Sequence, residues 1–183
     1  MSFKDFLNEN PQEIESFDSM TIENAVEIFT KNFNEYKFSK EYNGLVIKTN
    51  SLKATDFLVF EVQNDKPVAG VYFVQSGVYK SGVENFSYIP KFSLNWKGKK
   101  GFLFDAYKTF SKYKKNAYIM SDGKQTKDSK KIWIKWYKEE RGISEIFMYN
   151  YDKKEELAEN TKIEQLWGNE FSFRKYRVVA KFK

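Results

Sequence analysis

The sequence predicts an α/β protein built on a mixed sheet of about six or seven strands, with helices on both faces. Three segments carry apolar residues at helical spacing, and strand-like runs fill the chain between them. The first strand-like runs follow one another through short turns, which indicates antiparallel pairing. After residue 95 strands and helices alternate, which is typical of a parallel pair joined by a helix.

Length and composition predict a single soluble domain over residues 1–183, with 1–18 as an N-terminal extension and 152–183 as a C-terminal helix and strand. Apolar residues make up 41% of the chain and charged residues 31%, as in ordinary globular proteins. No apolar run is long enough to span a membrane, and the N-terminus lacks the features of a signal peptide. We therefore expect a protein of the cytoplasm of the cell that makes it, without membrane contact.

The first half of the chain predicts one helix and then strands. "FDSMTIENAVEIFTKNF" is helical, with Asp18 or Ser19 as its N-cap. Its apolar stripe comprises Ile22, Ala25, Val26, Phe29 and Phe33. "NGLVIKT" is a short strand, "DFLVFEVQNDKPVAGVYFVQSG" is a hairpin turning at 64–67, and "ENFSYIPKFSLN" is a third strand.

The second half predicts alternating elements. "WKGKKG" is predicted to be a basic loop, "FLFDAYKTFSKYKK" a helix and "NAYIM" a buried strand. "SKKIWIKWYKEE" is predicted to be a second helix. Its N-cap would be Thr126 or Asp128, and Gly142 would end it. "ISEIFMYNY" and "RKYRVVAKF" are strands, and "DKKEELAENTKIEQLW" is partly helical. The predicted buried residues are Phe29, Leu58, Phe60, Val71, Leu103, Phe110, Ile119, Trp133 and Phe147.

Histidine and cysteine are both absent, and this narrows the possible chemistry. Without them there is no disulfide, no cysteine nucleophile, no serine–histidine triad and no ordinary zinc site. We therefore expect no metal, and any general base has to be a carboxylate or a water that a carboxylate holds.

A glycine-containing loop with Lys97, Lys99 and Lys100 lies between a predicted strand and a predicted helix. Exposed N–H groups and the positive end of the helix dipole make such a position suitable for an anion. The net charge of +6 favours the same kind of partner, a phosphate of a cofactor or of a nucleic acid.

The hairpin "FEVQNDKPVAGVYFV", with a glycine in its second strand, and the element order after it resemble the GNAT N-acetyltransferase superfamily over residues 20–183. "SDGKQTKDSKKIW" resembles GNAT-like proteins encoded by bacteriophages. The resemblance implies a centrally splayed mixed sheet. It also implies acetyl-CoA as cofactor, with its pyrophosphate held by loop amides.

The resemblance places cofactor binding on Lys97, Gly98, Lys99, Lys100 and Gly101. The superfamily loop has the form Gln/Arg-x-x-Gly-x-Gly/Ala, and Lys100 stands where a glycine or alanine is expected. A side chain there crowds the close approach that a pyrophosphate needs. We therefore expect weak acetyl-CoA binding, and improved binding in Lys100→Gly.

The resemblance also implies catalytic residues. Trp133 stands in the register of the family's acidic tyrosine, which leaves Tyr137 as the acid and Glu61 as the base. Ser121 and Asp122 end a strand where an open sheet places its ligands, and they are candidate substrate contacts. Each of these residues also has an architectural interpretation. Tyr137 would belong to the apolar stripe of its helix, and Glu61 to the polar face of its strand. Ser121 and Asp122 would end a strand and lead into the cap of the next helix.

Three functions remain open. The favoured one is a GNAT-like scaffold without catalysis, acting as a structural or interaction protein with other proteins in a phage particle. The alternative is an acetyl-CoA-dependent N-acetyltransferase that acts on an amine. The third is a nucleic-acid-binding module in which lysine clusters contact the backbone while Trp96, Tyr107 and Tyr113 stack on bases.

Overall fold

A computed structural model describes residues 21–51, 53–76, 87–115, 117–122, 127–158, 161, 163 and 176–183. Within these ranges there are three helices: α1 Ile22–Glu35, α2 Phe102–Tyr113 and α3 Lys127–Glu139. The strands are β1 Phe38–Tyr42, β2 Leu45–Thr49, β3 Asp56–Gln63, β4 Lys66–Ser76, β5 Ser87–Asn95, β6 Tyr118–Met120, β7 Ile143–Asn150, β8 Glu155–Glu156 and β9 Tyr176–Phe182.

The sheet is mixed, as predicted, and its strand order is β1-β2-β3-β4-β5-β6-β9-β7-β8. The predicted parallel pair is confirmed, because Ser87 of β5 pairs with Tyr118 of β6 in parallel register. The predicted number of six or seven strands is wrong, since the described residues alone form a sheet of nine. The two strands that the sequence did not predict, β1 and β8, lie at the two edges.

The described residues form two compact units. Unit one lies within Met1–Tyr72 and Phe92–Ala106, and unit two within Phe73–Lys91 and Tyr107–Lys183. Strands β4 and β5 and helix α2 contribute residues to both units.

Two short hairpins build unit one. Asn43 and Gly44 join β1 to β2 with φ of 50° and 74°, and Asn64 and Asp65 join β3 to β4 with φ of 50° and 62°. A two-residue connection with both residues at positive φ matches the twist of antiparallel strands. The predicted hairpin at β3 and β4 is therefore present.

Helix α1 begins two or three residues later than the predicted caps would place it. Its N-cap is Thr21, whose Oγ1 accepts a hydrogen bond of 3.2 Å from the amide of Asn24. A threonine hydroxyl there satisfies one of the unpaired N–H groups of the first turn. The predicted caps Asp18 and Ser19 lie outside the described residues.

Phe29 of α1 is the centre of the core of unit one. Its ring meets Phe60 edge-on, and it stacks on Phe92 and Trp96 at centroid distances of 5.4 and 5.8 Å. A Cβ at Gly70 would lie 2.7 Å from this ring, so the close contact requires glycine. Helix α1 therefore rests directly on the backbone of β4.

Helix α2 buries one of its two predicted core residues, Phe110, but not the other, Leu103. Phe102, Ala106 and Phe110 are buried, whereas Leu103 is half-buried. In unit two the ring of Phe110 stacks on Phe73 at 4.2 Å. Leu103 and Phe147 are the two predicted core residues that are only half-buried, and the other seven are buried.

Helix α3 is confirmed, and of its predicted apolar stripe, which comprises Ile132, Trp133, Trp136 and Tyr137, only Trp133 is buried. Its predicted cap Thr126 lies outside the described residues, and Asp128 lies inside the first helical turn rather than before it. Glu140, with a φ of 48°, is the first left-handed residue after the helix. The helix therefore ends before Gly142, which has a φ of 74° in the turn that follows.

The C-terminal segment is only partly as predicted. Strand β9 is confirmed and pairs antiparallel with both β6 and β7. In place of a helix after residue 152, Glu155 and Glu156 form β8 beside β7. Most of the remaining predicted helix lies outside the described residues.

Trp133 should be a major determinant of the stability of unit two. Its side chain is 1% exposed and its ring lies 6.0 Å from Tyr107 and 5.3 Å from Trp136. We expect Trp133→Ala to lower the free energy of unfolding by about 3–5 kcal/mol in urea titrations. Trp136→Ala is the matched control, since Trp136 is half-buried, and it should cost less than half as much. Equal costs would show that the helix does not dock through Trp133.

Candidate functional site

The candidate site is the loop at 96–101 between β5 and α2, which we call the basic loop. It carries the cofactor residues predicted from sequence, and it lies in unit one. Whether such a loop can hold a phosphate depends on whether its backbone N–H groups are available.

Four consecutive N–H groups of the basic loop donate to acceptors within the protein. The amides of Trp96 and Lys97 both donate to the carbonyl of Val68, at 3.2 and 3.0 Å. The amide of Gly98 donates to Oδ1 of Asn95 at 2.8 Å, and that of Lys99 donates to Oε2 of Glu61 at 3.0 Å. These amides already hold the partners that a pyrophosphate would have to replace.

Glu61 lies beneath the basic loop rather than in an open cleft. The residue is 9% exposed, and its second carboxylate oxygen accepts a hydrogen bond of 3.2 Å from Gln63. A Cβ at Gly98 would lie 2.8 Å from both Oε2 of Glu61 and Cβ of Ala69. Gly98 is therefore needed so that the loop can approach this carboxylate.

The basic loop contacts both faces of the sheet within unit one. Ala69 meets Gly98 of the loop, and the next residue, Gly70, meets Phe29 of α1. Because successive strand residues point to opposite faces, Gly98 lies on the face of β4 opposite Phe29, whereas Trp96 at the start of the loop stacks on Phe29 itself.

A hydrogen bond and an ion pair within the protein also fix the C-terminal end of the basic loop. Gly101 has a φ of 90°, and its carbonyl accepts the amide of Asp105 in the first turn of α2 at 3.2 Å. The side chain of Lys99 forms an ion pair of 2.8 Å with Asp105, and this hydrogen bond raises the pKa of Lys99. One of the three predicted cations is thus neutralised locally, while Lys97 and Lys100 are exposed.

Ser121 and Asp122 lie in unit two at the end of β6. The buried hydroxyl of Ser121 accepts the amide of Val178 at 2.9 Å, and the amide of Ser121 donates to the carbonyl of Val178 at 2.8 Å. Asp122 receives both hydrogen bonds, at 3.1 and 3.0 Å, from the ammonium of Lys91. Both side chains therefore join strands, which favours their architectural interpretation.

Tyr137 is half-buried on α3 in unit two, one turn after the buried Trp133. The structure thus brings Glu61 together with the basic loop in unit one, and it places Ser121, Asp122 and Tyr137 in unit two.

Asn95 and Asp105 are the site residues that sequence reasoning missed. The Asn95 side chain bridges the loop, because it also donates to the carbonyl of Lys99 at 2.9 Å. A signal for both was present: asparagine often satisfies backbone groups in turns, and an acidic residue is favourable in the first turn of a helix.

Two of the three aromatic residues proposed for base stacking belong to the interior. Trp96 stacks on Phe29, and Tyr107 is buried, which raises the pKa of its phenol. Lys114 lies over the ring of Tyr88 at 5.3 Å, and burial lowers its pKa. The structure thus gives a nucleic-acid interface less support than the sequence did.

Other features of the described ranges can be stated briefly. Every helix within them is too short or too polar to cross a bilayer. The same ranges contain no group of three acidic side chains arranged to hold a metal ion. Comparison of the sequence with protein-family models and with curated proteins finds no match.

The position of Glu61 predicts that it stabilises the loop. Glu61→Ala removes the acceptor of the Lys99 amide and of Gln63, and should lower the free energy of unfolding by about 1–2 kcal/mol. Glu61→Gln keeps one acceptor oxygen for the Lys99 amide but loses the second acceptor and the charge, so it should cost less than Glu61→Ala. Urea titrations measure both. A negligible effect of Glu61→Ala would mean that the carboxylate does not support the loop.

Proposed function

We propose that this protein is a GNAT-like scaffold that works by binding other proteins, as a structural or interaction component, and that it does not transfer acetyl groups. The observation that carries the proposal is the hydrogen bonding of the basic loop. The amides of Trp96, Lys97, Gly98 and Lys99 donate within the protein, and one of their acceptors is a carboxylate.

The carboxylate weighs against a bound pyrophosphate for two reasons. Glu61 accepts the hydrogen bond of the Lys99 amide, which a phosphate would need as a donor. The negative charge of Glu61 also repels a phosphate at short range. A ligand would have to displace the carboxylate and leave it desolvated beside Ala69 and Gly98, which is costly.

The same contacts weigh against catalysis by Glu61. A general base must reach the amine of the substrate, directly or through one water. Both oxygens of Glu61 accept hydrogen bonds from the protein, and the residue is nearly buried. In the register of the family's acid, Trp133 is buried and has no proton suited to a thiolate.

The element order supports the GNAT-like part of the proposal. Antiparallel strands, a loop, helix α2, a strand parallel to β5, helix α3 and further strands follow in the order that the resemblance implies. The phage-particle setting rests on the resemblance of "SDGKQT" alone, and part of this stretch lies outside the described residues.

Titration calorimetry with acetyl-CoA and with CoA tests the proposal. We expect weak binding through exposed Lys97 and Lys100, which is lost as the salt concentration rises from about 0.05 to about 0.5 M because the charges are screened. The structure also reverses the expectation for Lys100→Gly. A glycine at 100 does not release the four engaged amides, so the substitution should weaken binding like any loss of a positive charge.

Lys100→Ala is the matched control, since it removes the same charge without adding backbone freedom. Lys100→Gly and Lys100→Ala should therefore weaken acetyl-CoA binding equally. Tight binding to the unaltered protein that resists salt would contradict the proposal and support an acetyltransferase with an unusual loop. Stronger binding by Lys100→Gly than by the unaltered protein would do the same.

A further inference from the structure

The chain contains one Asn–Gly pair, Asn43–Gly44, and the structure places it in an exposed turn. The two residues join β1 to β2, and both have left-handed φ angles, of 50° and 74°. Each residue is exposed, and a Cβ at Gly44 would meet no atom within 4 Å. Solvent therefore reaches both residues, and the backbone at Gly44 is not crowded.

An asparagine followed by glycine is reactive in water. The backbone nitrogen of Gly44 can attack Cγ of Asn43: the new N–Cγ bond closes a succinimide ring, the bond from Cγ to Nδ2 breaks, and ammonia leaves with the amide proton of Gly44. Water then opens the ring at either carbonyl. Opening at Cγ leaves aspartate, whereas opening at the main-chain carbon leaves isoaspartate, whose side chain now carries the main chain. Glycine favours the attack because it has no side chain to hinder it.

The place of this turn in the sheet lowers the free energy of the rearrangement that the reaction needs. Ring closure requires the main chain of Asn43 to rotate out of the turn. Strand β1 is an edge strand whose neighbour in the sheet is β2, and four of its five residues are exposed. Segments that bury little surface open locally at low free energy. The turn at 43–44 should therefore open more readily than the interior of unit one.

A second turn of unit one has the same left-handed form but lacks both of these properties. Asn64 and Asp65 join β3 to β4 with φ angles of 50° and 62°, and both residues are exposed. Here a side chain follows the asparagine. The turn also joins two strands that are mostly buried and that lie inside the strand order of the sheet. Asn64 is therefore an internal reference for Asn43.

We propose that Asn43 is a modification site that converts to aspartate and isoaspartate in the folded protein, because glycine follows it and because its turn lies at the sheet edge. The isoaspartate form loosens β1. A two-residue turn fixes the register of its hairpin, here from Tyr42↔Leu45 to Phe38↔Thr49, and isoaspartate adds a main-chain carbon to that turn. Aspartate keeps the ordinary linkage and suits the same turn. The reaction needs no partner, so it is independent of the proposed binding role.

Incubation of the full chain in warm, mildly alkaline buffer without denaturant tests the proposal. Peptide mapping by mass spectrometry should show the peptide with Asn43 gaining the mass difference between an amide and a carboxylic acid, and separating into aspartate and isoaspartate species. The peptide with Asn64 should stay unchanged. Cation exchange separates the products, because each carries an added negative charge. In the purified isoaspartate form the Tyr42 amide should exchange hydrogen faster than in the unaltered protein, whereas the aspartate form should not differ.

Two variants separate the effect of the dipeptide from the effect of its position. Asn43→Gly removes the reactive amide and keeps a turn of the same type, since Gly–Gly suits it, so the acidic species should be lost. Asp65→Gly creates a second Asn–Gly pair in the turn between β3 and β4. In that variant Asn64 should convert about tenfold more slowly than Asn43 of the same molecule, because its turn opens less often.

Several results would overturn the inference. Asn43 that stays unchanged in the folded chain, or that converts only in urea, would show that the turn is protected. Equal conversion of Asn64 in the unaltered protein would show that glycine is not decisive, and equal rates at the two asparagines of Asp65→Gly would show that the edge position is not. An unchanged exchange rate of the Tyr42 amide in the isoaspartate form would contradict the loosening of β1.

Discussion

A backbone N–H group that leaves water needs an acceptor, and the way in which the chain meets this need after β5 determines what the basic loop can bind. The amides of residues 96–99 all have internal acceptors: a carbonyl of β4, an asparagine side chain and the carboxylate of Glu61. The negative charge of Glu61 lies beside the loop amides, where a loop of this kind would otherwise attract a bound anion. The result is a connection between strand and helix whose hydrogen bonds are internal, with an exposed ion pair between Lys99 and Asp105 at its end.

The same requirement explains other polar residues at the ends of elements. Ser121 extends the ladder between β6 and β9 by one position with its hydroxyl, and Thr21 caps α1 in a similar way. The hydroxyl of Ser111 donates to the carbonyl of Ala117 at 2.6 Å, between α2 and β6. These short side chains replace backbone partners where regular pairing stops. A role in pairing is therefore sufficient to account for Ser121, which resembled a substrate contact in the sequence.

Much of the architecture could be predicted because its determinants are local. Helical periodicity located α1, α2 and α3, and the turn at Asn64 and Asp65 located the hairpin of β3 and β4. Strand β1 was missed because both its faces are exposed, so its residues show no alternation; only the Asn43–Gly44 turn indicated it. The buried face of α2 was ambiguous because Phe102, Leu103 and Phe104 are consecutive apolar residues.

The state of the basic loop could be predicted only in part. The glycine spacing and Lys100 indicated an altered phosphate loop, but the decisive contact joins Lys99 to a residue 38 positions away, and sequence periodicity does not report such pairs. Glu61 could therefore be recognised as a lone strand carboxylate, although not as a partner of the loop. Tertiary pairing, rather than local pattern, is what favours the architectural interpretation of Glu61.

The contact between Phe29 and Gly70 has a consequence for how the sequence can change over generations. An added methyl group at position 70 would lie 2.7 Å from the phenylalanine ring, while the same ring also contacts Phe60, Phe92 and Trp96. A larger residue at 70 is therefore accessible only after, or together with, a smaller one at 29, and that change would loosen the whole aromatic group. Divergent descendants of this chain should either keep both residues or exchange both.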